Sequence, residues 1–294
     1  MSNYHRYQEA LTSAGRGTPL WEPSSTPGKR AVGIGDVGYL SFGTFVRLFN
    51  ATLPSGHPDN EFGEPEYYRP LSIHPSQVRR KRLPGGIVAC CGAQMTGSED
   101  STESLSYCCY NPSIPTDFVS ISSSLAFRCT DKVGAVLLAE KEVVAEDLVD
   151  LDPFATYFSN YAQSWLRFAT TLGRDLALRE LIFVTGCDQT SGRYSATVFD
   201  EARVSKFIGR RASFQVADPR TKFSDWSDAI SVGYFHHNAG QSRPQGSPSS
   251  TLFIRGFKIL DRQLEEFESE EEEFEFEGTS HVSSFVITQT WISI

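Results

Sequence analysis

Apolar residues recur at helical spacing between Asp152 and Gly173: Phe154, Tyr157, Phe158, Tyr161, Ala162, Trp165, Phe168, Ala169 and Leu172. That period lays one broad apolar stripe along a helix over about 153–172, and such a face has to be buried. Asp152 reads as the residue that accepts the free amides of the first turn, Pro153 as the first helical position, and Gly173 as a left-handed stop. Beyond it the period changes. Leu181-Ile182-Phe183-Val184-Thr185 has the apolar run of a buried strand, Gly186-Cys187-Asp188-Gln189-Thr190 reads as a polar turn, and Tyr194 to Phe199 as the strand that follows.

Strand-like runs fill much of the remainder. Ile87 to Cys91, Phe118 to Ser124, Leu125 to Cys129 and Gly134 to Ala139 precede the helix. Ala212 to Ala217, Ser231 to His237 and Thr251 to Leu260 follow it, the last broken by Gly256. Tyr107 to Tyr110 is placed to pair with the strand at 87–91. Thr44 to Phe49 fits a short helix or a strand, and Phe223 to Ile230 a short helix or a loop. The expected fold is α+β: a mostly antiparallel, twisted sheet with one long amphipathic helix packed on it. Residues 1–30, rich in Gly, Pro and Ser after a short helical start, are expected to form an N-terminal arm, and 31–262 a single β-rich domain. Residues 263–281 form an acidic tract expected to be disordered, and 282–294, rich in β-branched residues, a C-terminal strand.

Charge narrows the choice of function. The chain has 294 residues and a net charge of −9, but nine acidic residues lie between Glu265 and Glu277, leaving 27 acidic against 27 basic elsewhere. A neutral body offers no general attraction to phosphates, which argues against nucleic-acid binding. Phenylalanines interleaved with the acids (Phe267, Phe274 and Phe276) make the tract a candidate docking peptide for a protein partner, against the plainer reading of a solvated tail. The first residues lack the apolar core of a signal peptide and no run is long enough to span a bilayer as a helix, so a cytoplasmic location and reduced cysteines are expected. The oligomeric state is not legible.

Candidate chemistry is sparse. Gly33-Ile34-Gly35-Asp36-Val37-Gly38 matches the dinucleotide fingerprint, but Lys29 and Arg30 stand where its strand should be and no helix opens at Gly38. A glycine-rich tight connection is the simpler reading, and no cofactor is expected. Cys90-Cys91, Cys108-Cys109 and His236-His237 are adjacent pairs that a strand would send to opposite faces, a poor arrangement for metal; buried thiols are the simplest account of the cysteines, with acylation or redox sensing as alternatives. Cys187, beside Asp188 after a strong strand, is the one candidate nucleophile, with His236 or His237 as its base. Asp188, Gln189 and Thr190 are the candidate binding residues. Lys206, Arg210 and Arg211, like the run Arg79 to Arg82, are candidate contacts for a membrane or another anionic surface, or else solvated faces.

Several short motifs carry a resemblance. Gly35-Asp36-Val37-Gly38, Leu48-Phe49-Asn50, Ser164-Trp165, Val184-Thr185-Gly186-Cys187-Asp188 and Ile254-Arg255-Gly256-Phe257 together resemble a family of intracellular proteins from mushroom-forming fungi. That family implies a compartment but no activity. Leu181 to Thr185 and Ser250-Thr251-Leu252-Phe253-Ile254-Arg255 are also similar to two core strands of the gasdermin pore-forming domain. This second resemblance implies a twisted antiparallel sheet that opens hairpins into a membrane. The function expected first is a non-catalytic binding or sensing module; a gasdermin-like pore former and a cysteine-dependent enzyme centred on Cys187 are the alternatives.

Overall fold

A computed structural model describes residues 2–23, 30–96, 124–129, 133–139, 141–192, 194–200, 211–215, 226–227, 234–239, 250–260 and 286–290. The fold is α+β and strand-rich, with antiparallel sheets and two α-helices among the described residues. In chain order the elements are α1 (Asn3–Thr12), β1 (Thr18–Pro19), β2 (Asp36–Ser41), β3 (Thr44–Asn50), β4 (Val78–Leu83), β5 (Gly86–Cys91), β6 (Ala93–Thr96), β7 (Ser124–Cys129), β8 (Val133–Ala139) and β9 (Val143–Leu148). Then come α2 (Asp152–Thr171), β10 (Ile182–Thr190), β11 (Tyr194–Asp200), β12 (Arg211–Gln215), β13 (Trp226–Ser227), β14 (Tyr234–Ala239), β15 (Ser250–Leu260) and β16 (Val286–Thr290).

The first sheet is built around β10 and β15, antiparallel partners from Phe183–Phe257 to Thr190–Ser250. Their outer edges are each shared by two strands. β2 takes the start of β10 and β9 its end, while β1 and β16 divide β15; β3 extends from β2, and β4 from β9. The second sheet has the order β14-β11-β8-β5 and the third β13-β12-β7-β6.

One pattern links all three. Across the first sheet the path β4-β9-β10-β15 is continued in the second by β5-β8-β11-β14, and in the third by β6-β7-β12-β13. Each position in that path is one stretch of chain carried from sheet to sheet, as in β4, β5 and β6 or β10, β11 and β12. The order in which the four parts of the chain lie side by side is thus the same in all three sheets. At the break between β5 and β6, Gly92 has φ +61°, and a Cβ there would sit 2.2 Å from the Val133 carbonyl oxygen, so only glycine suits the close approach.

Two apolar clusters hold the first two sheets. In one, Phe154, Phe158, Ala162, Trp165 and Ala169 of α2 are buried with Phe49, Phe183 and Phe257. The Phe158 ring stacks on Phe257 at 6.3 Å between centroids, and Trp165 meets Phe183 edge-on at 5.5 Å. Offset and edge-on ring pairs stabilise beyond the area they bury. Leu151, not Asp152, is the N-cap, and the helix begins at Asp152, whose amide donates to Asp150 Oδ1 at 3.3 Å.

In the second cluster, Tyr7 and Leu11 of α1 are fully buried with Ala135, Leu137, Tyr194, Ala196, Val198 and Phe253. The N-terminal segment is therefore core rather than a loose arm. Gly15 and Gly17, both at positive φ, mark the connection from α1 to β1, and the two apolar side chains one helical turn apart decide where α1 lies. Thr44–Asn50 is a strand, and Trp226–Ser227 is a strand rather than a helix. Tyr107 to Tyr110, Cys108, Cys109 and the acidic tract 263–281 lie outside the described residues.

Candidate functional site

The segment expected to turn, Gly186 to Thr190, is the second half of β10, and all nine residues of that strand are buried. Polar residues there suggested a turn; they are polar because they hold a network of charges inside the sheet. In register, Gly186 lies between Asp147 on β9 and Arg255 on β15. Having no side chain, it lets the Arg255 guanidinium cross β10 and donate from Nε to Asp147 Oδ1. A Cβ at 186 would stand 2.3 Å from that oxygen and 2.9 Å from Nε.

The same guanidinium donates from Nη1 to Asp188 Oδ1 at 2.9 Å and to the Arg16 carbonyl oxygen at 2.8 Å, and from Nη2 to the Glu146 carbonyl oxygen at 3.2 Å. From the other side, Arg16 donates to Asp188 Oδ2 from Nε at 2.8 Å and Nη2 at 2.5 Å, and from Nη1 to the Val88 carbonyl oxygen at 3.3 Å. Asp188, 1 % exposed, therefore lies between two arginines. Burial works against the charge on Arg255, but Asp188 and Asp147 outweigh it and hold its pKa above the ordinary value. The clasp joins α1's following segment, the hairpin strand β5, and β9, β10 and β15.

The neighbouring candidates are used in the same structural way. Gln189 donates from Nε2 to the Val32 carbonyl oxygen at 2.6 Å, and Thr190 from Oγ1 to the Glu142 carbonyl oxygen at 3.1 Å. Cys187 is fully buried in mid-strand, not displayed at a turn. Burial first, and the carboxylates of Glu146 and Asp188 after it, push its thiol well above the ordinary range, with Arg255 opposing only in part. Such a thiol stays protonated and unreactive. His236 and His237 pair with Thr197 and Ala196 on β11, in the second sheet, while Cys187 belongs to the first. The strand order does not assemble a cysteine–histidine pair.

A second buried carboxylate explains the glycine fingerprint. Asp36 opens β2, fully buried, and accepts from the Gly33 amide at 2.8 Å, Asn50 Nδ2 at 2.8 Å and Arg30 Nη2 at 2.5 Å; Arg47 Nε lies 3.0 Å away. The Gly33 amide that a pyrophosphate would use is taken by the chain's own carboxylate, and a strand rather than a helix follows.

Of the basic candidates, Lys206 and Arg210 lie outside the described residues, and Arg211 begins β12 in register with Arg128. Arg79 to Arg82 lie within β4; Arg80 pairs with Glu146 on β9 and Arg82 with Glu142 just before it. Cys90 is half-buried and Cys91 buried, as alternation along β5 requires.

The third sheet carries the feature that sequence reasoning missed. Reading its registers together, one set of alternate positions holds Ala93, Met95, Leu125, Phe127, Cys129, Ala212, Phe214 and Trp226. The other holds Gln94, Thr96, Ser124, Ala126, Arg128, Arg211, Ser213, Gln215 and Ser227. One set is apolar and the other polar apart from Ala126. The signal was present as period-two alternation within short runs, but it emerges only when all four strands are placed in register.

No family model, no curated protein and no solved structure matches the chain. Among the described residues no helix is long and apolar enough to cross a membrane, and no cluster of three or more His, Cys, Asp and Glu is placed to hold a metal ion.

Proposed function

We propose that the chain is a pore-forming protein that inserts paired β-hairpins into a membrane. The observation that carries this reading is the third sheet: two antiparallel hairpins, β6–β7 and β12–β13, adjoin through β7 and β12 and alternate apolar with polar across all four strands. A bilayer admits strands only in a closed barrel whose lipid face is apolar and whose interior is polar, and that alternation supplies both faces.

Strand direction supports assembly from several copies. Because the four strands alternate in direction, the outer strands β6 and β13 run opposite ways. Laid beside β13 of one copy, β6 of the next is antiparallel to it, so a ring of copies is antiparallel throughout and even in strand number. The strands of this sheet have two to six residues, fewer than the ~9–11 a spanning strand needs, so insertion requires the hairpins to lengthen. In this reading α2 is the amphipathic brace that keeps the first sheet rigid while the third rearranges, and the clasp around Asp188 anchors β10. The reading accords with the resemblance to gasdermins.

The test is dye release from vesicles of phosphatidylcholine and phosphatidylserine, using the full chain before and after limited proteolysis. Release is expected, and Phe127→Asp with Phe214→Asp should abolish it while circular dichroism stays unchanged, since a charged side chain facing mid-bilayer lipid destabilises an inserted strand. No release under either condition removes the pore reading and leaves a non-catalytic binding module, which the buried clasp also suits.

A further inference from the structure

We infer that the pore passes anions in preference to cations. The inference rests on the pore reading and concerns the face that reading turns toward water. In the third sheet Arg128 on β7 and Arg211 on β12 are direct partners across the junction between the two hairpins. Both occupy the polar set of positions, and Gln94 on β6 is the partner of Arg128 on its other side. The rest of the set comprises Thr96, Ser124, Ala126, Ser213, Gln215 and Ser227; no carboxylate occurs among the described positions on that face.

Two like charges placed directly opposite each other across a strand pair repel and destabilise a sheet. Among the described positions no acidic residue is in register beside them, unlike Arg79 and Arg80 in β4, which stand in register with Asp147 and Glu146. In the pore reading this face lines the aqueous conduit, where water and mobile anions offset that repulsion. Repeated once per copy around a ring, the arginine pair becomes a belt of fixed positive charge. Rings of Arg or Lys select for anions, by raising their local concentration and excluding cations within the ~8–10 Å over which charge acts at ordinary salt.

The test measures the reversal potential of the purified full chain in a planar bilayer of phosphatidylcholine and phosphatidylserine, with potassium chloride at different concentrations on the two sides. The expected potential has the sign set by chloride. Arg128→Gln with Arg211→Gln should bring it toward zero, and Arg128→Glu with Arg211→Glu should reverse its sign, with dye release retained in both. A conducting, unsubstituted chain whose potential is zero or potassium-like overturns the anion preference and leaves the pore reading standing. An unchanged potential in the glutamate variant also overturns the assignment to these two arginines. Absence of any conductance removes both readings. The unsubstituted chain decides the preference by itself even if a variant does not fold.

Discussion

Arg255 and Asp147 meet across an intervening strand, and they can do so because the residue between them in register is Gly186. The contact fixes β9, β10 and β15 to one another through side chains as well as through the backbone ladder.

Substituting Gly186 with Ala should therefore do more damage than a methyl group in a strand ordinarily does. The new Cβ would stand 2.3 Å from Asp147 Oδ1, so the pair has to separate and leave charge partly buried. Breaking a fully buried pair costs about 3–5 kcal/mol; with the Asp147 side chain 31 % exposed, a loss on the order of 2 kcal/mol is expected. Urea unfolding followed by circular dichroism measures it. A midpoint equal to that of the unsubstituted chain would show that the crossing is not structural.

Cys187 should resist alkylation in the native state at neutral pH. Its thiol is fully buried and held protonated, so labelling has to wait for the strand to open. Peptide mapping after iodoacetamide treatment should find residue 187 modified only as urea approaches the unfolding transition. Rapid modification without urea would restore Cys187 as a candidate nucleophile.

Lys258 gives a pH-dependent test. It is half-buried on β15, and desolvation lowers its pKa from the ordinary lysine value. Between the lowered folded value and the ordinary unfolded one, the unfolded chain binds more protons, so this residue makes stability rise with pH through that window. Below the window both states are protonated and the penalty for burying the charge is constant. Lys258→Met should raise the urea midpoint at neutral pH and flatten the alkaline rise. A lower midpoint at neutral pH would mean that the charge is paired rather than merely desolvated.

The strands that sequence makes plain are those buried for their apolar content. Gly134 to Ala139, Leu181 to Val184 and Thr251 to Leu260 correspond to β8, the start of β10 and β15, because side chains facing apolar neighbours on either side leave apolar runs, interrupted in β15 at Arg255, Gly256 and Lys258. β4 and β9 were hidden. Arg79 to Arg82 looks like a surface run of charge and is a strand only because Glu146 and Asp147 stand opposite, which takes the tertiary register to see.

The candidate site divides along the same line. Asp188 could be picked out by type and position, but its polar neighbours resembled a turn, and its partners Arg16 and Arg255 are 172 and 67 residues distant. Nothing local couples three residues so separated. Gly186 was the available signal: a glycine in mid-strand marks a place where something else must pass.

The charge clasp also fixes the register of β10 between its neighbours. Because side chains alternate with a period of two, moving β10 by a single residue along β9 and β15 would exchange its own two faces, setting Cys187 where Asp188 now stands. Asp188 gripped from both sides forbids that slip. Two arginines reaching one carboxylate from opposite directions thereby keep the charged and the apolar sides of the central strand from trading places.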